Sequence, residues 1–476
     1  MKSKAYRDFL SQCYQENQCQ QNERCGQIPP AGRPRQNVIW LISDQQRAQS
    51  LSGNGDPNAR TPNLDVMCRM GVNFRQAVSG YPLCCPFRGT MLTGRYHNKC
   101  VVGHEYQLPP EQRTITDVFN EHGYDTAYFG KWHLDGCRRN PIMHVVPRER
   151  RGRFGTWIGY ENNNCQWNTW VHGHKKEAEV EQYQLKGYET NALTDLLLDY
   201  LKERAKDPDD TPFFAVLSVQ PPHEPYVAPP EFLGHFQWND IILRPNVPCT
   251  EADQRKAKTE LARYYAMIEN LDWNVGRVLE TLRELDLDLN TQIMFFSDHG
   301  DMMGSHGLYG KVVPYEESIR VPMIISGGVA EFFGYRTGPS DVVFNDVDIA
   351  PTTLGLCGLP VPDSMEGYDY SYYRYGDGSH GPAVPQSEEP QSAYIQVMDA
   401  REGCDQVWRA VVTRDRWKYV CFQNAEWLLF DLNTDPYEQK NLAHSFAHRK
   451  KREELNGLLK SWVEKTGDTF RVPELP

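Results

Sequence analysis

Short apolar runs punctuate this chain and alternate with longer, periodically polar stretches. NVIWLIS (37–43), DTAYFG (125–130), FFAVLSV (213–219), QIMFFS (292–297) and VPMIIS (321–326) are six or seven residues long and rich in β-branched and aromatic side chains, so they read as buried strands. Between them, helical patterns fall near 114–122, 187–205, 251–285 and 347–357. A further helix starts at Thr61-Pro62, with Thr61 as N-cap and Pro62 at the first helical position. This alternation predicts an α/β fold, a large and mostly parallel sheet covered by helices on both faces. Such sheets carry their chemistry beyond the carboxyl ends of the strands, so the residues directly following each run are the ones to examine.

Three stretches depart from the pattern. Met1 to Arg35 reads as a polar arm, with one short helix and a Pro-rich linker. Residues 138–174 carry Arg148, Arg150, Arg151 and Arg153 among Trp157, Tyr160, Trp167 and Trp170, and are expected as an insertion overhanging the strand ends. Residues 376–392 have the composition of a linker, after which QVWRAVVT, RWKYVCF and EWLLFDL read as a strand meander and a helix closes the chain near 447–465. The expected organisation is therefore an arm (1–35), an α/β domain (36–375), a linker (376–392) and a smaller α+β domain with an antiparallel sheet (393–476).

Composition narrows the function classes. Across 476 residues, 39% hydrophobic and 24% charged side chains support a large core and exclude disorder along most of the chain. Lys plus Arg number 51 against 63 Asp plus Glu, a net charge of −12. That balance excludes a general nucleic-acid binder, and any anionic ligand must be held by a local cationic pocket. No apolar run approaches the ~18 residues of a membrane span, and the N-terminus lacks the apolar stretch of a secretory signal. The thirteen cysteines are odd in number, and Cys13, Cys19 and Cys25, spaced by six, suit neither a zinc knuckle nor a redox pair. The expectation is a cytoplasmic protein with reduced thiols, whose arm and acidic surface suit a homo-oligomer.

The candidate chemistry lies at strand ends. Asp44-Gln45 follows the first run and Asp298-His299-Gly300 the fourth; carboxylates there bind a hard divalent cation or, read singly, cap helices. Lys131 and His133 follow the second run, in Gly130-Lys131-Trp132-His133, and His223 follows the third, in Gln220-Pro221-Pro222-His223. Cys84-Cys85-Pro86-Phe87-Arg88 precedes Leu92-Thr93-Gly94-Arg95, and Pro86 sets a first helical turn, placing Cys84 where free backbone N–H groups favour negative charge. Taken alone, Cys84 equally suits a buried structural thiol.

In order and spacing these segments, with Gly310-Lys311, resemble the type I sulfatases of the alkaline phosphatase-like superfamily, near the branch of arylsulfatases and phosphonate monoester hydrolases. The resemblance implies that Cys84 is oxidised to Cα-formylglycine by a formylglycine-generating enzyme. Cys85 is not, because Phe87 stands where a motif starting there needs proline. It further implies one divalent cation, Ca²⁺ by default, held by Asp44, Gln45, Cys84, Asp298 and His299, with the imidazole moving preference toward Mn²⁺ or another transition ion. Arg88, Lys131 and Lys311 are then expected to hold sulfate oxygens, His223 with Lys311 to protonate the leaving oxygen, and His133 to act as base when sulfate is released. The implied activity is hydrolysis of a small-molecule or oligosaccharide sulfate ester, a sulfated carbohydrate or an aryl or alkyl sulfate. The alternatives are a phosphonate monoester or phosphodiester hydrolase using the same site, and a non-catalytic anion- or glycan-binding protein. His306, Arg148, Arg150, Trp157, Trp167 and Trp170 are further candidates for substrate contact. Finally, Gln45 in place of a carboxylate predicts a less negative centre, more tolerant of phosphate diesters.

Overall fold

The apolar run at 37–43 forms β1 (Asn37–Asp44), buried along its whole length, in a computed structural model that describes residues 36–137, 139–328, 337–375, 389–401 and 404–475. The polar arm expected over 1–35 and residues 376–388 of the expected linker lie outside these. The remaining strands of the large sheet are β2 (Val72–Val78), β3 (Asp125–Lys131), β4 (Thr156–Tyr160), β5 (Trp170–Lys175), β6 (Ala178–Gln184), β7 (Phe213–Pro222), β8 (Thr291–Ser297), β9 (Met323–Gly327) and β10 (Gly338–Asn345). They run in the order β10-β2-β9-β8-β1-β7-β3-β4-β5-β6. β1 lies between β7 and β8 with both neighbours parallel. β9 runs antiparallel to both of its neighbours, β8 and β2.

Alternate residues of β1 enter different cores, as a strand's period of two requires. Val38, Trp40 and Ile42 pack with helices α2 (Cys84–Thr93), α3 (Ile115–Glu121) and α6 (Ile349–Leu356). Ile39 and Leu41 pack with α1 (Pro62–Met70), α4 (Glu189–Arg204) and α5 (Glu251–Glu284). The expected two-faced sandwich is thus present, and so are the helices expected between the strands. The start of α1 differs from expectation. The Thr61 hydroxyl faces Ser52 and Asp65, and the buried carboxylate of Asp272, on α5, instead accepts the Asn63 and Leu64 N–H groups. Capping across the core ties α1 to α5.

The expected overhanging insertion is corrected. Residues 156–184 continue the sheet as β4, β5 and β6, β4 parallel to β3 and the others antiparallel in turn. β6, the last strand, is largely exposed and carries Glu179 and Glu181 outward.

In the C-terminal region β11 (Ser392–Val397), β12 (Trp408–Thr413), β13 (Trp417–Phe422) and β14 (Ala425–Asp431) form an antiparallel sheet in sequence order. One face packs on α7 (Arg449–Thr466) through Tyr394, Tyr419, Leu455 and Trp462. The other packs on Tyr81, Leu83, Val312 and Ile319 of the large domain. Trp408 Nε1 donates to the Val312 carbonyl at 3.1 Å and Gln396 N to that of Gly80 at 2.7 Å. The small sheet therefore supports the two segments that flank Cys84 and Lys311.

Candidate active site

Strand ends and one helix start converge at Cys84. It opens α2, fully buried, with its Sγ 3.2 Å from His299 Nε2, 3.7 Å from Asp44 Oδ1, 3.5 Å from Lys311 Nζ and 3.8 Å from Lys131 Nζ. Asp44 ends β1, and Asp298 and His299 directly follow β8. Gly130 lets β3 deliver Lys131 and His133 there. Its φ is +108°, and a Cβ would stand 2.0 Å from the Ser218 carbonyl oxygen of β7, so no other residue fits. Gln45 and His133 also take left-handed backbone, at φ 68° and 57°. Such conformations in non-glycine residues persist where the surroundings over-determine them.

The electrostatics follow from burial and charge together. Burial opposes ionisation of Cys84, but the ammonium groups of Lys131 and Lys311 outweigh it and hold the thiol well below its usual range. Burial likewise disfavours the two ammonium groups, yet Asp44 and Cys84 keep both Lys131 and Lys311 above the ordinary lysine value. Burial and Cys84 work against the Asp44 carboxylate, but Lys131, which bonds its Oδ2 at 2.6 Å, and Arg88 hold it below the carboxylate range. Asp298, under burial and the charge of Asp44, is pushed up to about 6.

Donor atoms of Asp44, Cys84, Asp298 and His299 all lie within 4.8 Å of one another, and all four residues are buried. His299 Nδ1–H donates to the Gly300 carbonyl at 3.0 Å, which leaves the Nε2 lone pair facing the carboxylates. Two buried carboxylates that repel each other, with an imidazole lone pair aimed between them, fit a divalent cation. Gln45 borders this set. Its Oε1 accepts from Lys311 Nζ at 2.8 Å, while Nε2 donates to Glu224 and Asp301, so the two faces of the amide are fixed by charge. Carboxylate charge nonetheless stands close to position 45. Where a ligand carboxylate is missing at 45, two others, Glu224 and the fully buried Asp301, stand directly behind the amide.

His223 follows β7. Its Nδ1–H donates to the Glu224 carbonyl at 2.8 Å and its Nε2 accepts from Lys311 Nζ at 2.8 Å, so the mobile proton of this pair sits on the lysine. His133 is buried with neither ring nitrogen hydrogen-bonded, its Nε2 3.6 Å from Glu105 Oε1. Burial opposes its charged form, but Cys85, Cys84 and Glu105 hold it well above the ordinary histidine value.

Five expected contacts are corrected. Arg88 is turned away from an incoming ester: Nη1 donates to the Lys131 carbonyl at 2.9 Å and Ser218 Oγ at 2.8 Å, while Nη2 pairs with Asp44 at 3.2 Å and Asp298 at 3.5 Å. It positions the carboxylates and Lys131. Trp157 cannot stack on a sugar, being fully buried among Tyr128, Trp132 and His172. Arg148 and Arg150 are occupied, Arg148 by Glu177 and Glu179, Arg150 by Asp135. His306 stacks on Tyr315 at 4.1 Å with Asn246 on its Nε2, apart from the Cys84 partners. Trp167 remains exposed, edge-on to Tyr188, and Trp170 half-exposed with Nε1 on Asn168. The 156–184 region reaches the site through Gln166, whose Nε2 donates to the His223 carbonyl at 3.1 Å.

Sequence reasoning missed Glu224, Asp301 and Ser218. The first two had a signal, being acidic residues beside His223 in PPHEP and beside His299 in SDHGD. Ser218 had none.

Comparison with known proteins gives a consistent picture. The family model described as Sulfatase matches residues 36–359, and one described as N-sulphoglucosamine sulphohydrolase, C-terminal, matches residues 304–465. The chain is 34% identical over 443 residues to an "Ulvan-active sulfatase" of Formosa agariphila, covering 91% of this chain and 82% of that protein. It is 29% identical over 470 residues to an "Endo-4-O-sulfatase" of Bacteroides thetaiotaomicron, covering 85% and 87%. A solved 4S-sulf structure from the same organism, described in the metabolism of multiple glycosaminoglycans, superposes with a TM-score of 0.79 at 26% identity, covering 92% of this chain and 97% of that one.

Proposed function

The chain belongs to the sulfatase family and is a sulfuric ester hydrolase, and from that premise we infer that it cleaves sulfated carbohydrates with Cys84 matured to formylglycine beside a divalent cation. The observation that carries this reading is the meeting of four buried cation donors with two ammonium groups within 4 Å of one thiol at a helix start. Asp44, Asp298, His299 and the group at position 84 would hold the ion. The cation would supply Lewis-acid stabilisation of the anionic ester, and the matured side chain a nucleophilic hydroxyl with a second one through which sulfate leaves.

The chain's own residues perform the rest. Lys131 and Lys311 flank position 84 and offset charge on the non-bridging oxygens. Lys311 Nζ carries the proton nearest the leaving oxygen, and His223 Nε2, already bonded to it, takes the next place in the relay. Maturation removes the Cys84 thiol, one of the groups that favour charged His133, and the neutral imidazole then accepts the proton released when sulfate departs, with Glu105 stabilising the imidazolium. Arg88 keeps Asp44, Asp298 and Lys131 in register. Similarity to ulvan-active and endo-4-O sulfatases supports a polysaccharide-derived ester over an alkyl sulfate.

The test pairs two measurements on protein co-produced with a formylglycine-generating enzyme. Peptide mass spectrometry across Cys84 should show thiol replaced by aldehyde. Ion chromatography should detect sulfate released from ulvan or chondroitin oligosaccharides faster than from an alkyl sulfate. An unmodified thiol in fully active protein, or turnover confined to alkyl sulfates, overturns the reading.

A further inference from the structure

A second group of metal-type donors lies beside the first, and of its members only His133 serves a step above. Cys85, the second residue of α2, is buried, and its Sγ is 4.0 Å from His104 Nδ1 and accepts the Glu105 N–H at 3.4 Å. His104 Nε2–H donates to Glu105 Oε1 at 3.0 Å, which fixes the proton on Nε2 and leaves the Nδ1 lone pair facing the sulfur. His133 completes the cluster, buried and with neither ring nitrogen hydrogen-bonded. Ligand atoms of Cys85, His104 and His133 fall within 4.8 Å of one another.

We propose that Cys85, His104 and His133 bind a zinc-class divalent ion, and that occupancy of this site switches the enzyme off by taking the lone pair of His133. Thiolate and imidazole donors select zinc-like ions, whereas calcium requires oxygen. A carboxylate on the far nitrogen of a ligating histidine is the outer arrangement that zinc sites use, and Glu105 provides it for His104. The spacing needs little change: zinc–sulfur and zinc–nitrogen bonds of about 2.3 and 2.0 Å ask the 4.0 Å sulfur–nitrogen gap to close by about 0.5 Å. His104 and Glu105 are partly exposed, at 24% and 16%, and Glu105 lines a surface groove with Tyr106 and Gln107, which gives an ion its path. Full burial of Cys85 argues against its use as a freely reactive thiol. Maturation of Cys84 would sharpen the division, since only the second cluster then keeps a sulfur.

The binding claim stands on geometry, and only the inhibition rests on the role inferred for His133, so the experiment reads the two separately. The full chain, with calcium in excess to fill the carboxylate centre, is titrated with cobalt(II) as a spectroscopic substitute for zinc. A thiolate-to-cobalt charge-transfer band should appear in the wild type and in Cys84→Ser and be lost in Cys85→Ser. Zinc affinity, measured against a chromophoric chelator, should weaken about 10–100-fold in Glu105→Gln and at least as much in His104→Ala, which tests the site at a partly exposed position should Cys85→Ser unfold. Zinc inhibition of sulfate release should be relieved in Cys85→Ser. A band that survives in Cys85→Ser, or disappears only in Cys84→Ser, overturns the site; inhibition unchanged in Cys85→Ser with the band lost overturns the switch and leaves the binding site standing.

Discussion

Residues 311–320 join two buried charge clusters of different design. At one end, Lys311 stands with Lys131 and Arg88 around Asp44, Asp298 and Cys84. At the other, Glu316 meets Lys418 at 3.1 Å, and Glu438 pairs with the same ammonium while its other oxygen accepts the Glu316 N–H at 2.7 Å. In the second cluster Lys418 and Arg320 face two carboxylates: burial raises Glu438 to about 8 while Lys418 and Arg320, acting against burial, keep Glu316 low, so the proton of this shared cluster sits on Glu438. Every group there already has its partner. In the first cluster Lys131, Lys311, Asp44 and His299 converge on the Cys84 sulfur. The difference teaches that burial and charge alone do not mark a functional site. What marks it is donors aimed at one point with no partner of their own charge class filling it.

Cys84→Ala should separate the two clusters most strongly. Sulfate release is expected to fall about 10⁴-fold or more, with a melting temperature close to wild type; comparable activity in the variant would remove the functional reading of the first cluster. Lys418→Met should do the reverse. Removing the cation between Glu438 and Glu316, and leaving Glu316 with Arg320 alone, is expected to destabilise the fold by about 3–5 kcal/mol, read by urea denaturation, while turnover per folded molecule stays within a few fold. A large loss of turnover in folded Lys418→Met would mean that the second cluster is catalytic as well.

The smallest effect concerns pH. Glu438 binds its proton more tightly in the fold, to about 8, than its unperturbed value of 4.5, so its contribution is complete below 4.5 and is lost as pH rises toward 8. Asp272 and Asp348, raised to about 7 by burial, act in the same sense. The urea midpoint should therefore fall from pH 5 to pH 8, and less steeply in Glu438→Gln. Equal slopes in the two proteins would show that the shared proton does not stabilise the second cluster.

Much of the first cluster is legible in sequence because its members follow apolar runs directly: Asp44 after β1, Lys131 and His133 at the end of β3, His223 after β7, Asp298 and His299 after β8. Position relative to a strand end is a local property. The second cluster is illegible for the opposite reason. Lys418 and Glu316 are 102 residues apart, and an isolated Lys or Glu carries no mark of burial. The same holds for the partners of Gln45 and for the Asp272 cap on α1. β4 to β6 were hidden by composition: arginines and tryptophans before and within 156–184 suggest a binding loop, yet Trp157 is sheet core, and Arg148 fastens onto Glu177 and Glu179 around β6. β2 and β10 were missed because Arg75 and Asp341 interrupt their apolar runs; the two pair with each other at 3.3 Å across neighbouring strands.

Among the described residues the large sheet ends at β6, and this rim has a consequence for how copies of the molecule behave at high concentration. An unpaired strand invites a neighbour to continue the sheet through its free backbone groups. Here Glu177, Glu179 and Glu181 recur at every second residue, and all are exposed. A second copy docking edge to edge would have to bury Glu181 and disturb the ion pairs by which Arg148 and Arg151 hold Glu177 and Glu179, and that cost guards the rim against aggregation.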